Sequence, residues 1–219
     1  MVSRLAHELR QPLSAMESLS CYLEIVLPTE DTKSRSQVTK MQELLQQTNW
    51  ILCDAIHYLR AANSHPVVMD WNETLMEVVA DGDATVGTDV TFSLDDSIPP
   101  VSFDLNQARH LALGMFLFLR KISRGGSTVD IASKLLAESI ELEFSAAAPG
   151  TRIECDERLF EPFSPQAPAG SGLALASARQ IVHAHRGPIG IRIHPVDLVV
   201  ITVRFPIQSR SQSHISEPT

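Results

Sequence analysis

The sequence lacks the features that mark a secreted or membrane-spanning protein. It holds three cysteines, Cys21, Cys53 and Cys155, at scattered spacings and without a CxxC pair. This odd number predicts reduced thiols rather than disulfides or a zinc site. No apolar run approaches the ~20 residues of a transmembrane helix, and the N-terminus has no signal-peptide core. We therefore expect a cytoplasmic protein without a membrane span.

Basic clusters and aromatic residues are also scarce. The chain has 18 Lys and Arg against 26 Asp and Glu, a formal net charge of −8, and 5% aromatics. Nucleic-acid sites combine basic patches with stacking aromatics, so no nucleic-acid partner is expected. The histidines show no ligand spacing with carboxylates or thiols, so no metal site is expected. An apolar fraction of 44% over 219 residues suffices for one large domain or two small ones.

Two long amphipathic helices are predicted first, at residues 2–27 and 37–62, joined by a polar loop at 28–36. Pro12 should bend the first helix, because its ring removes a backbone hydrogen bond. The second helix has an apolar heptad pattern over three repeats. Two hairpins from two chains would bury these seams in a four-helix bundle. In the alternative interpretation, the hairpin packs on the rest of its own chain.

A histidine stands on the polar side of the first predicted helix. His7 is two residues from both Leu5 and Leu9 of the apolar face, and two helical steps turn by about 200°. Glu8 is its neighbour, and Gln11 follows one turn later on the same face. An exposed imidazole beside a carboxylate can act as a nucleophile towards a group that arrives from solvent. On its own, such a pair can equally be a solvated surface feature.

The remainder of the chain mixes helices and strands in an α/β layered pattern. The predicted helices are 71–79, with Asp70 as N-cap, 106–122 and 173–185, and the predicted strands are 90–94, 129–131, 139–145, 189–193 and 198–205. The Ser-rich, polar segment 208–219 is expected to be a disordered tail.

Several motifs resemble those of two-component sensor histidine kinases. The run from His7 to Leu13, His-Glu-Leu-Arg-Gln-Pro-Leu, resembles the phosphoacceptor box of that family. Residues 159–163, Leu-Phe-Glu-Pro-Phe, and 170–176, Gly-Ser-Gly-Leu-Ala-Leu-Ala, resemble its phenylalanine box and second glycine box. The resemblance implies an α+β protein, with a dimerisation and histidine phosphotransfer hairpin at 1–63 and an ATPase-like sandwich of the GHKL (Bergerat) type at 64–207. It also implies a homodimer and a response-regulator receiver domain as partner.

Two nucleotide-binding boxes of that family are altered. Gly114 and Phe118 stand where the family has the asparagines of one helix. A phenylalanine cannot bind Mg²⁺, which prefers oxygen ligands. The aspartate that recognises adenine would be Ala146, and the first glycine after it would be Ala148. Because phosphoryl transfer from ATP depends on positioning and on a metal, we expect neither ATP nor Mg²⁺ as a cofactor.

The glycines that remain would bind a nucleotide only if this chain is an ATP-dependent kinase. Gly150 is what is left of the altered glycine box, and Gly170 and Gly172 precede a predicted helix. Bare backbone amides at a helix start favour phosphate groups, although such turns are also common without a ligand. In the kinase case, ATP and Mg²⁺ would be the cofactors.

The resemblance and the chemistry together assign roles around the histidine. Nε2 of His7 would attack phosphorus, while its Nδ1–H donates to a carboxylate such as Glu8. Arg10 would neutralise phosphate oxygens. The amide of Gln11 would position a water molecule for dephosphorylation of the partner, the role that the family gives to Thr or Asn there.

Three functions remain open. In the first, which we favour, a histidine phosphotransferase passes a phosphoryl group between receiver domains through His7 without ATP-dependent autophosphorylation. Only six residues precede His7, which fits a protein without a sensor domain. In the second, the chain is the core fragment of an ATP-dependent sensor kinase. In the third, it is a non-enzymatic scaffold that binds response regulators.

Overall fold

The computed structural model describes residues 2–60, 65–80, 88–123, 128–151, 153, 156–168, 171–195 and 197–207. The helices are α1 Val2–Val26, α2 Thr32–Arg60, α3 Trp71–Ala80, α4 Leu105–Ile122 and α5 Ala174–Ala184, with a 3₁₀ turn at Glu157–Phe160. The strands are β1 Val67–Met69, β2 Val90–Ser93, β3 Val101–Phe103, β4 Val129–Leu135, β5 Ser139–Ala147, β6 Ile189–His194 and β7 Leu198–Pro206. Cys155, Gly170 and the expected tail lie outside the described residues.

Helices α1 and α2 form an antiparallel hairpin with a shorter connection than expected. The Asp31 carboxylate accepts a hydrogen bond from the Ser34 N–H at 3.0 Å, and the Arg35 guanidinium donates to two carbonyls at the end of α1, both at 3.0 Å. Hydrogen bonds from the side chain and the backbone of Ser34 lower the pKa of Asp31. Together with the Arg35 contacts they start α2 at Thr32 instead of residue 37. The predicted loop at 28–36 was therefore too long, because its polar composition belongs partly to a capped first turn.

The facing sides of the hairpin combine apolar and polar contacts. Leu13, Val38 and Leu45 are buried. The side chains of Asn49 and Glu17 bond across the helices, and the Gln42 amide donates to Glu24 at 2.9 Å. These two pairs fix the register of the hairpin. Helix α1 continues through Pro12 as one helix.

Apolar side chains remain exposed along both helices. Those on α1 are Leu9, Met16, Leu19, Tyr22, Leu23, Ile25 and Val26, and those on α2 are Met41, Leu44, Ile51 and Leu59. A single hairpin therefore leaves much of its apolar surface uncovered. Within the part of the chain that the structure describes, no helix is both long and apolar enough to cross a bilayer.

The α/β domain, from β1 to β7, is built on a five-stranded sheet in the order β2-β4-β5-β7-β6. β2 pairs with β4 in parallel, and the other neighbours are antiparallel. Helix α4 packs on β4 and β5, and α5 packs on β7. The alternation of buried and exposed residues along β4 puts one face of that strand into this core.

A two-stranded sheet of β1 and β3 was not predicted. Each strand has three residues, too few to show an alternating pattern. Phe103 at the end of β3 packs edge-on against Trp71 at a centroid distance of 4.9 Å. Asp70 caps α3 as expected, because its carboxylate accepts from the N–H groups of Asn72 and Glu73.

The hairpin also packs on the α/β domain through helix α2. Helix α2 contacts both α5 and α4. The alternative that the hairpin packs on its own chain is therefore true for α2, although apolar residues of both helices stay exposed.

Candidate functional site

His7 lies near the start of α1, and its side chain is exposed, as helical rotation predicted. The side-chain amide nitrogen of Gln11 lies 3.4 Å from Nε2 of His7. A hydrogen bond donated by this amide uses the lone pair of Nε2, which puts the imidazole proton on Nδ1. In that tautomer Nε2 is the atom that can attack phosphorus, so Gln11 and His7 form a pair suited to the predicted chemistry.

Glu8 and Arg10 are exposed on the same stretch of helix. Glu8 follows His7 directly and is turned from it by about 100°, whereas Arg10, three residues on, lies within about 60° of His7 on the same face of the helix. A carboxylate and a guanidinium are therefore accessible to a group that approaches the imidazole from solvent. Their roles as proton acceptor and phosphate contact stay predictions.

The two altered positions on α4 belong to the protein interior. Phe118 is fully buried and is part of the hydrophobic core. Gly114 is buried next to α5, where an added Cβ would lie 3.9 Å from the Cβ of Ala174. An aromatic ring in the core offers no oxygen to a hard cation. Phe118 therefore acts as a packing residue at the position where the resembling family has a metal ligand.

The other end of the expected nucleotide site is equally apolar. Ala146 and Ala148 are fully buried at the end of β5. Gly150 follows in the left-handed region, at φ 69°, and its N–H donates to the Asp197 carboxylate at 3.2 Å. The turn itself thus favours glycine at this position, whether or not a nucleotide is bound. The side chains at the metal and adenine positions do not fit a Mg²⁺-bound adenine nucleotide.

A close backbone approach also explains why glycine occupies position 172. Its carbonyl accepts from the Phe163 N–H at 2.7 Å, and an added Cβ would lie 3.0 Å from the Cα of Phe163. Phe163 has φ 58° and is 71% exposed. The turn before α5 is thus held by this close backbone approach. Gly170, its predicted companion, lies outside the described residues.

A cleft of about 360 Å³ lies between α2, the C-terminal half of α4 and the start of α5. Trp50 lines its hairpin side, and Phe118, Lys121 and Ser171 line the other side. Partial burial lowers the pKa of Lys121. His7, Gly150 and Gly172 are not among the residues that line this cleft.

Sequence reasoning missed a buried polar cluster between the hairpin and the α/β domain. Nε2 of His110 lies 3.1 Å from the Asp54 carboxylate and 3.1 Å from the Ser177 hydroxyl. Asp54 comes from α2, His110 from α4 and Ser177 from α5. The available signal was the lone carboxylate in the run Ile-Leu-Cys-Asp-Ala-Ile at 51–56. The pattern could not show which distant residues it meets.

Comparisons with known proteins agree with the motifs. The chain is 28% identical to the signal transduction histidine-protein kinase BaeS of Escherichia coli K12 over 228 aligned positions, covering 96% of this chain and 47% of that protein. It is 21% identical to the sensor histidine kinase ZraS of Klebsiella oxytoca over 217 residues, covering 97% and 46%. No protein-family model matches the chain.

Solved structures confirm the expected fold class. Full-length ShkA in complex with AMPPNP superposes with a TM-score of 0.70 at 20% identity, covering 94% of this chain and 45% of that one. Histidine kinase AdeS of Acinetobacter baumannii gives 0.62 at 19% identity, covering 93% and 98%. ThkA, solved with the response regulator TrrA, gives 0.61 at 18% identity, covering 94% and 61%. The chain spans about half the length of the curated relatives it matches.

Proposed function

Because the chain is related to the sensor histidine kinases, we propose that it is the core of a two-component signalling protein in which His7 carries a phosphoryl group. The observation that carries the proposal is the exposed imidazole of His7, with Nε2 3.4 Å from the Gln11 amide on the first helix of the hairpin. In this proposal, residues 1–63 form the phosphotransfer hairpin, residues 64–207 form the ATPase-like domain and 208–219 form a tail.

The residues around His7 supply acceptor chemistry. The lone pair on Nε2 forms a bond to phosphorus as the bond from phosphorus to the donor oxygen breaks, and positive charge develops on the ring. Glu8 would accept the Nδ1 proton or stabilise that charge, and Arg10 would contact the phosphate oxygens. Gln11 would first hold the tautomer and then release Nε2 as phosphorus approaches.

The comparisons favour an ATP-dependent kinase core over the phosphotransferase that the sequence alone favoured. The named curated relatives are kinases, and they align over nearly the whole of this chain. In this case ATP and Mg²⁺ would be the cofactors. The part of the nucleotide site that this chain keeps would be Gly150, Gly170 and Gly172. The fully buried Phe118 and Ala146 are hard to reconcile with that site.

Those two side chains favour a second candidate function. With no oxygen ligand at position 118 and no carboxylate at position 146, the ATPase-like domain would serve for docking. His7 would then receive its phosphoryl group from one receiver domain and pass it to another. Both functions need a response-regulator receiver domain as partner, as ThkA has in its complex with TrrA.

We also propose that the active form is a homodimer. The exposed apolar residues of α1 and α2 recur at heptad spacing, including Leu9, Met16 and Leu23 on α1. A second hairpin would cover them in a four-helix bundle.

An ATP titration by calorimetry, with and without Mg²⁺, separates the two functions. Heat that saturates at micromolar nucleotide supports the kinase core and would contradict the expectation drawn from Phe118 and Ala146. The absence of heat at millimolar nucleotide supports the phosphotransferase. In the kinase case Gly172→Ala should weaken nucleotide binding, because Gly172 would belong to the nucleotide site and an added Cβ crowds the turn at Phe163.

The scaffold hypothesis is tested at His7 itself. His7→Gln keeps a polar, helix-compatible side chain but removes the nucleophile. A scaffold would still act on its response regulator with this substitution, whereas the proposed phosphoryl carrier would lose its activity.

A further inference from the structure

A cavity of about 280 Å³ lies between the small β1–β3 sheet and the ends of α5 and β7. Its most deeply buried lining residues are Phe103 of β3, Ile140 of β5 and Phe205 of β7. Val68 and Ser102, which are paired across the small sheet, line it at the exposed rim. Among the described residues that line this cavity, none is Asp, Glu, Lys or Arg. Because these walls offer no countercharge, they favour an uncharged molecule.

His185, the residue directly after α5, gives this apolar wall a hydrogen-bonding group. Its Nε2 lies 3.0 Å from Oε1 of Gln107. A carbonyl oxygen only accepts, so Nε2 carries the proton of the neutral ring and Nδ1 keeps its lone pair. Burial lowers the pKa of His185 below 6.5, against the opposing effect of Asp104, so the ring is neutral near pH 7. Within the described part of the chain, Nδ1 has no hydrogen-bond donor.

Three rings on the wall favour an aromatic occupant. His185 stacks on Phe103 at a centroid distance of 3.6 Å, and Phe205 lies edge-on to Phe103 at 4.8 Å and to His185 at 6.3 Å. A further ring can extend this arrangement by stacking or by an edge contact. Water is held less well, because a buried water molecule needs two to four polar partners and the described lining side chains offer few.

The volume of the cavity suits two fused rings. An apolar cavity of about 150 Å³ is large enough to bind benzene. The cavity beside His185 has roughly twice that volume, at about 280 Å³. A bicyclic molecule would therefore fill more of it than a single ring, and so would bury more apolar surface.

We propose that this cavity binds a small, neutral, bicyclic aromatic molecule of the size of indole, whose single N–H or O–H group donates to Nδ1 of His185. The site is distinct from the altered nucleotide positions, because Phe118 and Gly172 do not line it. Gly172 precedes the start of α5 and His185 follows its end, and a helix of 11 residues is about 16 Å long. The proposal does not depend on phosphoryl transfer through His7.

Indole and 1-methylindole are the matched probes for calorimetric titration of the full chain. Both have the same two rings, but 1-methylindole has no N–H. The hydrogen bond to His185 predicts that indole binds about fivefold more tightly than 1-methylindole. No heat with indole at millimolar concentration, or equal affinities for the two probes, would overturn the proposal.

His185→Phe removes the acceptor and keeps a ring that can stack on Phe103. Indole and 1-methylindole should bind this variant with equal affinity, because only the hydrogen bond distinguishes them. His183→Gln, at an exposed position on α5, should keep the fivefold preference of the parent. A preference for indole that survives in His185→Phe would mean that another group accepts the N–H, and would overturn the assignment.

Methyl NMR of the parent protein locates the site even if His185→Phe does not fold. Saturating indole should shift the δ1 methyl signals of Ile140 and Ile207, both of which line the cavity, through the ring current of the bound probe. The signal of Ile51 on α2 should stay in place, because Ile51 does not line the cavity. Unchanged signals for Ile140 and Ile207 would overturn the proposal. None of these measurements uses a nucleotide or a phosphoryl donor, so the failure of the proposed function would leave them unchanged.

Discussion

Helix α1 places His7 on its exposed side, where the proposed chemistry needs it. Leu5 and Leu9 define one side of α1 in the sequence, and a rotation of about 200° puts His7 on the other side. The exposure of His7 confirms this placement. The contact with Gln11 one turn later also depends only on helical spacing. The exposed placement of His7 was therefore predictable, because its geometry is local, whereas its role as acceptor stays a proposal.

The sequence also showed the glycines that remain of the nucleotide boxes, but it did not show why glycine stands at those positions. Gly150 and Gly172 look like remnants of nucleotide boxes in the sequence. The structure adds that a left-handed turn holds Gly150 and that Gly172 lies against the backbone of Phe163. Gly150 is held by Asp197, 47 positions away, and Gly172 meets Phe163, nine positions away, and a single sequence does not show either contact.

His185 should make the stability of the protein depend on pH. Its ring stacks on Phe103 at a centroid distance of 3.6 Å, and Nε2 bonds the Gln107 side chain at 3.0 Å. Burial lowers the pKa of His185 below 6.5, and Asp104 opposes this effect. As the pH falls from about 7 to 5, the unfolded chain takes up this proton first, so stability falls.

His185→Gln should flatten that dependence in urea unfolding measured at several pH values. The substitution lowers stability at neutral pH through the lost stacking, but removes the titrating group. His183→Gln, at an exposed position two residues earlier, should keep the slope of the parent. Equal slopes for the parent and His185→Gln would refute the assignment.

At the scale of elements, long periodic segments were predicted well and short or capped ones were not. Helix α4 was expected at 106–122 and begins one residue earlier, with Asp104 as its N-cap at 3.0 Å from the Gln107 N–H. β1 and β3 have three residues each and gave no signal. The start of α2 was missed because Asp31 and Arg35 hold the turn through contacts with the end of α1.

The connection between α5 and β6 should tolerate no side chain at Gly187. A Cβ there would lie 2.1 Å from the carbonyl oxygen of Arg204 in β7. Gly187→Ala should therefore push β6 and β7 apart and cost about 1–3 kcal/mol in the free energy of unfolding, as overpacking does.

The matched control is Gly190→Ala in β6, where an added Cβ meets nothing within 4 Å. Urea unfolding at neutral pH should show little change for this variant. If both alanine variants unfold at the same denaturant concentration, the close approach at Gly187 is not the reason for glycine there.

At the scale of the whole molecule, the sequence predicted the two kinds of architecture but not how they meet. Heptads and strand alternation are properties of single segments. The packing of α2 on α4 and α5 includes a buried polar cluster of residues that are far apart in the chain. Asp54 and His110 are 56 positions apart, and His110 and Ser177 are 67 positions apart. Nothing in a single sequence pairs them.

The exposed apolar stripe of the hairpin should hold a dimer together. Leu19 is 62% exposed near the middle of α1. Leu19→Glu would put a charge into the seam of the proposed four-helix bundle, so the variant should be a monomer by light scattering at concentrations where the parent is a dimer.

Val68→Glu is the control for that experiment. Val68 is 73% exposed on β1 in the α/β domain, away from the hairpin seam. This variant should elute with the same mass as the parent. A monomeric parent, or a dimer that persists in Leu19→Glu, would exclude the α1 seam as the dimer contact.

The most direct test of the account is to expose the intact protein to phosphoramidate, a small phosphoryl donor, and to map the phosphorylated histidines by mass spectrometry over time. The account predicts that His7 is labelled at least about tenfold faster than the exposed His183 and His194, because Glu8 and Gln11 assist its Nε2. The label should be absent from that peptide in His7→Gln. Labelling of His7 at the rate of the other two histidines would contradict the claim that this residue is the phosphoryl carrier.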